Sequence, residues 1–473
     1  MSLFNTYGTN PQSIVEFNEY PPFTAIFQYL FLAINKTYSE DIIITAQGML
    51  YFSLIIPIMK NIKWDKSIKN IIAIVPILIA LPMIFYKNFY LEILVDGILG
   101  VMFATTIFYA YENEELKFKY IKIFSGLIML CLTKTTGIAL AVLASIIILI
   151  KLCTNRKINK DSNKEIAIFI CICVITTILT LMWYIKVSGS TKRWDFSQYI
   201  SNESQVDKIE IGKKFIKTIF LDQCITDKKI TTFVITLILI CSNMYIIKDG
   251  KRKSSLKYYS VAMIFSIFIY IIMQFITYVS IFDASEAENL DCFDRYISTI
   301  FLATAIYQIL VINEKIKDKY DFKKIMIILT LIICLLPQEN IMIKYIGGKN
   351  YIATEKNNRN FYTKITRYKS KLNSDDTVLI INGSKEDSKK IKLINQYEIM
   401  PTKVSAINMN IDSGEELQKI IKDKKYEYVF MYKIKDEEKE KIKEKFEGQY
   451  VENDTLYKVI NNDGQIFLEL VRK

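Results

Sequence analysis

Apolar residues in this chain come in long blocks, many of about 17–24 residues, the length a helix needs to cross a hydrocarbon core of roughly 30 Å. Hydrophobic residues make up 51% of the 473, and their clustering excludes an ordinary cytosolic enzyme. Ten spanning helices are expected, at about 42–59, 70–86, 91–111, 120–133, 136–152, 166–186, 230–247, 258–281, 295–312 and 325–337. Residues 22–34, PFTAIFQYLFLAI, differ: at 1.5 Å per residue they make about 20 Å of helix, too short to span. Pro22 suits a first helical position, and Thr24 and Gln28 form a narrow polar stripe. The pattern predicts a helix lying in the membrane interface. A short tilted span is the alternative, and it would invert every later loop.

The charge balance then orients the chain. Lys and Arg number 61 against 49 Asp and Glu, a net charge of +12. In a membrane protein such an excess marks cytoplasmic loops, not nucleic-acid binding. Loops 60–70, 112–122, 151–165, 248–257 and 313–324 carry 22 Lys and Arg, against 12 on the alternate loops even when the long segment 187–229 is counted. The positive-inside rule places the richer set in the cytoplasm and both termini outside. The expected location is therefore the cytoplasmic membrane, multi-pass, with the C-terminal part extracytoplasmic. Residues 1–21 are polar, so an outer N-terminus lacks an export route, and a spanning helix ahead of Met1 is expected.

The expected domains are an outer segment 1–41, a transmembrane domain 42–337 and an α/β domain 338–473. Beyond residue 337 the apolar blocks stop and short patterns alternate. Thr377–Ile381, Lys403–Ala406 and Tyr426–Tyr432 read as strands; Lys389–Gln396, Glu415–Lys422 and Asp436–Phe446 read as helices. Leu456–Ile460 and Gln465–Val471 flank Asn461-Asn462-Asp463-Gly464, a hairpin signal. Asn382-Gly383-Ser384, after the first strand, reads as a plain loop or as an anion-holding turn.

The chain has no histidine, which removes Ser-His-Asp and Cys-His nucleophile systems and every His-ligated metal site. Catalytic acids and bases must be Asp, Glu, Lys, Tyr or Cys. Charges at membrane depth are costly and therefore functional candidates. Glu92 and Asp96 stand four residues apart in an expected helix, with Asp96 about 8 Å below its outer end. Lys134 occupies the next outer turn. An acidic loop holding Asp291 leads into Arg295-Tyr296, and Glu19-Tyr20 precede the interfacial helix. All fall on the outer side of one topology. The competing reading is that Asp96 and Lys134 merely neutralise each other. Any metal site would use carboxylate and carbonyl oxygens, and a magnesium or manganese ion is left open.

Four segments, NEYPPFTAIFQYLF, LEILVDGILG, GLIMLCLTKTTGIALAVLA and FDRYISTIFLATAIY, resemble the GT-C superfamily of integral-membrane glycosyltransferases. The likeness is to the bacterial relatives of protein O-mannosyltransferases and of the lipid A aminoarabinose transferase, and it covers most of the chain. It implies transfer of a sugar from a polyprenyl-phosphate carrier to a glycan, lipid or protein acceptor of the cell envelope, at the outer face of the membrane. Arg295 and Lys134 would hold the leaving lipid phosphate, and a carboxylate would take the acceptor proton. The resemblance makes Glu19 and Asp96 the catalytic candidates, and Tyr20, Glu92, Lys134, Asp291, Arg295 and Tyr296 the substrate-binding ones. This chain departs from the family in lacking the Asp that follows the family's first spanning helix. Either that segment is missing, Glu16 or Glu19 substitutes, or the chain is inactive. A non-catalytic GT-C-fold scaffold or lipid-binding subunit and a transporter of lipid-linked sugars are the rival readings. Membrane lipids are expected partners and nucleic acid is not.

Overall fold

The computed structural model describes residues 20–35, 39–56, 64–86, 88–112, 116–156, 162–188, 208–221, 223–225, 230–249, 254–282, 284–315, 364–373, 375–384, 388–400, 402–408, 414–423, 425–436, 439, 442, 451–462 and 465–472. It divides into two compact units, Met1–Ile341 and Met342–Lys473. Most of the described chain is helical, with a small C-terminal sheet. Glu19, the expected span 325–337 and the turn residues Asp463 and Gly464 lie outside the described residues, as does most of the expected helix Asp436–Phe446.

The first unit is a helical bundle. Its helices are α1 (Phe23–Asn35), α2 (Glu40–Ile55), α3 (Trp64–Phe85), α4 (Asp96–Tyr111), α5 (Leu116–Cys131), α6 (Thr135–Arg156) and α7 (Ser162–Ser188), followed by α8 (Lys208–Leu221), α9 (Thr232–Asp249), α10 (Ser254–Ser280), α11 (Ala284–Asn289) and α12 (Phe293–Lys315). Among the described residues three helical stretches are long and apolar enough to cross a membrane: Thr135–Asn155, Asn163–Val187 and Ser255–Ser280. The remaining apolar helices are shorter, among them Asp96–Tyr111 and Thr232–Lys248.

Three sequence expectations change here. The helix expected at 91–111 begins at Asp96, and residues 88–91 form a turn. Glu92 therefore precedes the helix and does not share a face with Asp96. Asn88 explains the early turn: its side chain donates to Glu92 Oε1 at 2.6 Å and its carbonyl accepts from the Leu91 N–H, local bonds that compete with helix. Second, the long loop 187–229 contains α8 and β1 (Gln223–Ile225), which pairs antiparallel with β2 (Ile230–Thr231) just beyond it. Ile211 and Phe215 bury one face of α8, while Lys213 and Lys214 lie off it. Third, the acidic loop 282–294 is partly helical, as α11.

The bundle is centred on α4 and α12. Gly100 lets them touch: a Cβ there would lie 2.4 Å from the Thr299 carbonyl oxygen. Small residues permit this approach between apolar helices, where lipid is as apolar as leucine and contact must come from packing.

In the second unit β3 (Thr377–Asn382) lies between β4 (Lys403–Asn408) and β5 (Tyr428–Tyr432), all parallel. The hairpin β6 (Thr455–Asn462) and β7 (Gln465–Leu470) extends the sheet antiparallel beyond β5. Helix α13 (Ser388–Glu398) connects β3 to β4, and α14 (Gly414–Asp423) precedes β5. Alternation along β3 feeds two cores. Leu379 and Ile381 pack with Leu417 and Ile421, while Val378 and Ile380 pack with Ile391 and Tyr368. With both faces covered the strand reads as a continuous apolar run. Asn462 pairs with Gln465 at the end of the β6–β7 ladder.

Candidate functional site

The site grows from the turns at one end of the bundle. Gly137 makes the α5–α6 turn tight, since a Cβ there would stand 2.1 Å from the Leu130 carbonyl oxygen. The Gly137 N–H donates to the Lys134 carbonyl at 2.8 Å, which holds Lys134 at the bundle end. Phe23, opening α1, donates its N–H to the Leu132 carbonyl at 2.8 Å, so the short apolar helix starts beside the same turn. Gln28 then donates to Gln47 Oε1 at 3.2 Å, and Gln47 donates to the Leu94 carbonyl at 3.2 Å. That chain ties α1 and α2 to the segment leading into Asp96.

Asp96 is buried at the start of α4 and is shared by two cations. Lys134 Nζ donates to its Oδ1 at 2.7 Å. Arg295 Nε lies 3.2 Å from its Oδ2, a charge contact without aligned hydrogen-bond geometry. Lys134 Nζ and the Arg295 guanidinium each stand 4.8 Å from the Tyr296 ring centroid, within cation–π range. An Arg295 N–H donates to the Tyr296 hydroxyl at 2.9 Å. Among the described residues, two cations share this one carboxylate, an excess of one positive charge. The Arg295 side chain keeps 30% of its surface accessible, against 4% for Asp96, so the uncompensated charge is the reachable one.

The backbone entering α12 aims Arg295. Leu290 and Cys292 adopt left-handed φ values of 53° and 60°, conformations that cost non-glycine residues about 1–3 kcal/mol and persist only when the surroundings hold them. Between them, the Asp291 carbonyl accepts from the Tyr278 hydroxyl at 2.7 Å, and the Asp291 N–H donates to Glu286 at 3.0 Å. Past the turn, Tyr86 donates to the Arg295 carbonyl at 3.0 Å and meets Thr299 Oγ1 at 3.1 Å.

Of the sequence candidates, Asp96, Lys134, Arg295 and Tyr296 come together. Asp291 contributes its backbone, and its side chain is exposed. Glu92 is half-buried and occupied by Asn88. Tyr20 is exposed at the entry to α1, and Glu19 lies outside the described residues. Gln47, Tyr86 and Tyr278 support the site and escaped the sequence reading. Gln47 carries a signal, an amide inside an apolar block. The two tyrosines carry none, because tyrosine is common throughout this chain. Among the described residues no group of three or more His, Cys, Asp or Glu is placed to hold a metal ion.

The opposite end of the bundle, at the C-terminal end of α4, carries other charged contacts. Glu112 pairs with Lys122 at 3.6 Å, Tyr120 donates to Glu165 at 3.1 Å, and Lys151 stands 5.5 Å from the Tyr258 ring. In the second unit Asn382-Gly383-Ser384 closes on itself. Asn382 Oδ1 accepts from the Ser384 N–H at 3.0 Å and its hydroxyl at 2.6 Å, and Asn382 Nδ2 donates to Asn408 at 2.9 Å.

No protein-family profile, curated protein or solved structure gives a significant match to this chain.

Proposed function

We propose that this chain is a GT-C-like membrane glycosyltransferase with about ten spanning helices, moving a sugar from a polyprenyl-phosphate donor to a cell-envelope acceptor at the outer face of the cytoplasmic membrane. One observation carries the reading: a buried carboxylate shared by Lys134 and Arg295, with one positive charge in excess among the described residues. An ionised lipid phosphate supplies the missing negative charge. A lysine and an arginine in a part-desolvated site bind phosphate oxygens through charge-assisted hydrogen bonds. The apolar helix α1, hydrogen-bonded to the Lys134 turn at its start, offers apolar surface for the isoprenoid. The lysine asymmetry of the loops supports an outward-facing site.

In this reading the acceptor oxygen attacks the sugar's anomeric carbon, the bond from that carbon to the phosphate oxygen breaks, and the lipid phosphate leaves already ionised. Lys134 and Arg295 stabilise the departing charge. Asp96 positions both cations, since each of its oxygens already faces one. The proton of the acceptor goes to a carboxylate, for which Glu19 is the sequence candidate. A second reading, a lipid-binding subunit without catalysis, draws on the same occupied Asp96.

The test is binding of decaprenyl phosphate to the purified chain in nanodiscs. Removing a charge-assisted contact of about 1.5–3 kcal/mol means that Arg295→Ala weakens binding roughly ten- to a hundredfold. Arg295→Lys recovers part of the loss. Equal affinity of Arg295→Ala and the parent overturns the phosphate site. Turnover of a decaprenyl-phosphate sugar separates the enzyme from the binding subunit.

A further inference from the structure

At the end of the bundle opposite Asp96, α6 and α10 part to leave a groove of about 520 Å³, on the scale of about 300–1,000 Å³ typical of ligand sites. Its walls are aliphatic and aromatic, with Leu143, Ile146 and Ile150 on α6 and Phe265 and Ile269 on α10. Ile146, Ile150, Phe265 and Ile269 are each 40–61% exposed, so the groove opens sideways from the bundle. Both flanking helices are among the stretches long and apolar enough to span.

The groove has a direction. Its cationic end lies where Lys257 and Tyr258 line the opening of α10 and Lys151, just beyond the lining, stands near the end of α6; the Ser266 hydroxyl, deeper in, is spent on the Ala262 carbonyl at 2.9 Å. Tyr258 donates to the Ile147 carbonyl at 2.7 Å, and Lys151 Nζ lies 5.5 Å from its ring. The ring thus braces one cation while Lys257 remains exposed. From Lys257 to Ile269 the groove follows about 18 Å of helix at 1.5 Å per residue. Half of a roughly 30 Å hydrocarbon core is about 15 Å. The groove therefore has the depth of one leaflet, apolar toward the bilayer centre and cationic at the head-group level.

We infer that this groove holds one acyl chain of an anionic phospholipid, whose head-group phosphate sits between Lys151 and Lys257. Length and apolar lining match the acyl chain. Charge selects the head group, since basic pockets between membrane helices favour anionic lipids. Depth separates this site from the Asp96 cluster, so it stands whether or not that cluster binds a carrier phosphate.

The experiment compares phosphatidylglycerol with phosphatidylcholine of identical chains, by native mass spectrometry of the full chain released from mixed nanodiscs. Each lysine near an anionic head group is worth about fivefold in affinity, so with two lysines the parent retains phosphatidylglycerol about twenty-five-fold better. The variant Lys151→Gln with Lys257→Gln loses that preference and keeps the fold, because neither side chain is buried. Ile146→Trp, which fills the groove, lowers retention of both lipids. Equal retention of the two lipids by the parent overturns the inference, as does an undiminished preference in the double lysine variant. Unchanged retention in Ile146→Trp overturns the groove as the chain's seat.

Discussion

Two apolar helices of the first unit, α4 (Asp96–Tyr111) and α7 (Ser162–Ser188), meet opposite surroundings. In α4 every residue except Tyr109 is buried. In α7 the buried residues are Phe169, Ile172, Thr176, Thr180 and Val187, a stripe at helical spacing, and most of the rest is exposed. Hydropathy cannot separate the two, because a lipid tail is as apolar as a leucine core. Side-chain size and charge can. Helix α4 carries Gly97, Gly100, Ala104 and Ala110 and opens on a carboxylate, whereas α7 is rich in isoleucine and leucine. The helix at the centre is the one that lets neighbours approach and that brings a charge for them to share.

The contrast breaks most sharply at Asp96. Asp96→Ala strands Lys134 and Arg295 beside each other and costs about 3 kcal/mol, the low end for an orphaned buried pair because Arg295 is part-exposed. Unfolding of the detergent-solubilised chain measures it, and adding Lys134→Met recovers part of the loss. A cost below about 0.5 kcal/mol would mean that the shared carboxylate does not organise this end.

Gly100→Ala comes next. The new methyl meets the Thr299 carbonyl oxygen, and overpacking of this kind costs about 1–3 kcal/mol. An unchanged unfolding midpoint would show that α4 and α12 are not in backbone contact. Tyr278→Phe removes the hydroxyl that holds the Asp291 carbonyl and costs about 1 kcal/mol. Because the strained turn aims Arg295, it also weakens decaprenyl phosphate binding, which a purely structural loss at a distance leaves alone. At the rim, Ile178→Ala on α7, where Ile178 is 51% exposed, shifts stability by less than about 0.5 kcal/mol. A larger loss would place a protein neighbour where the comparison with α4 puts lipid.

Legibility in the sequence followed the range of the interactions. Among the described residues the C-terminal strands and the helices at 389–396 and 415–422 were readable within one or two residues, because short apolar runs and helical spacing are local. Asp96, Lys134, Arg295 and Tyr296 were readable as candidates, because an ionisable group beside an apolar block stands out. The placement of Glu92 failed because Asn88 captures it and delays the helix. Helix α8 was missed although Ile211, Phe215 and Ile219 repeat at helical spacing in a segment otherwise rich in charge.

Sequence alone determined that much of this chain is apolar helix, that lysines concentrate in alternate loops, and that an α/β unit follows the apolar blocks. Those features depend on side-chain composition and short-range periodicity, which act before any tertiary contact forms. Tertiary structure alone decided that α4 lies at the centre and α7 at the rim, and that Lys134, 38 residues from Asp96, shares that carboxylate with Arg295. It also decided that the α6–α10 groove carries its lysines at one end. These depend on which helices meet. In a medium as apolar as the helices themselves that choice rests on close packing and on charges finding partners, neither of which hydropathy encodes.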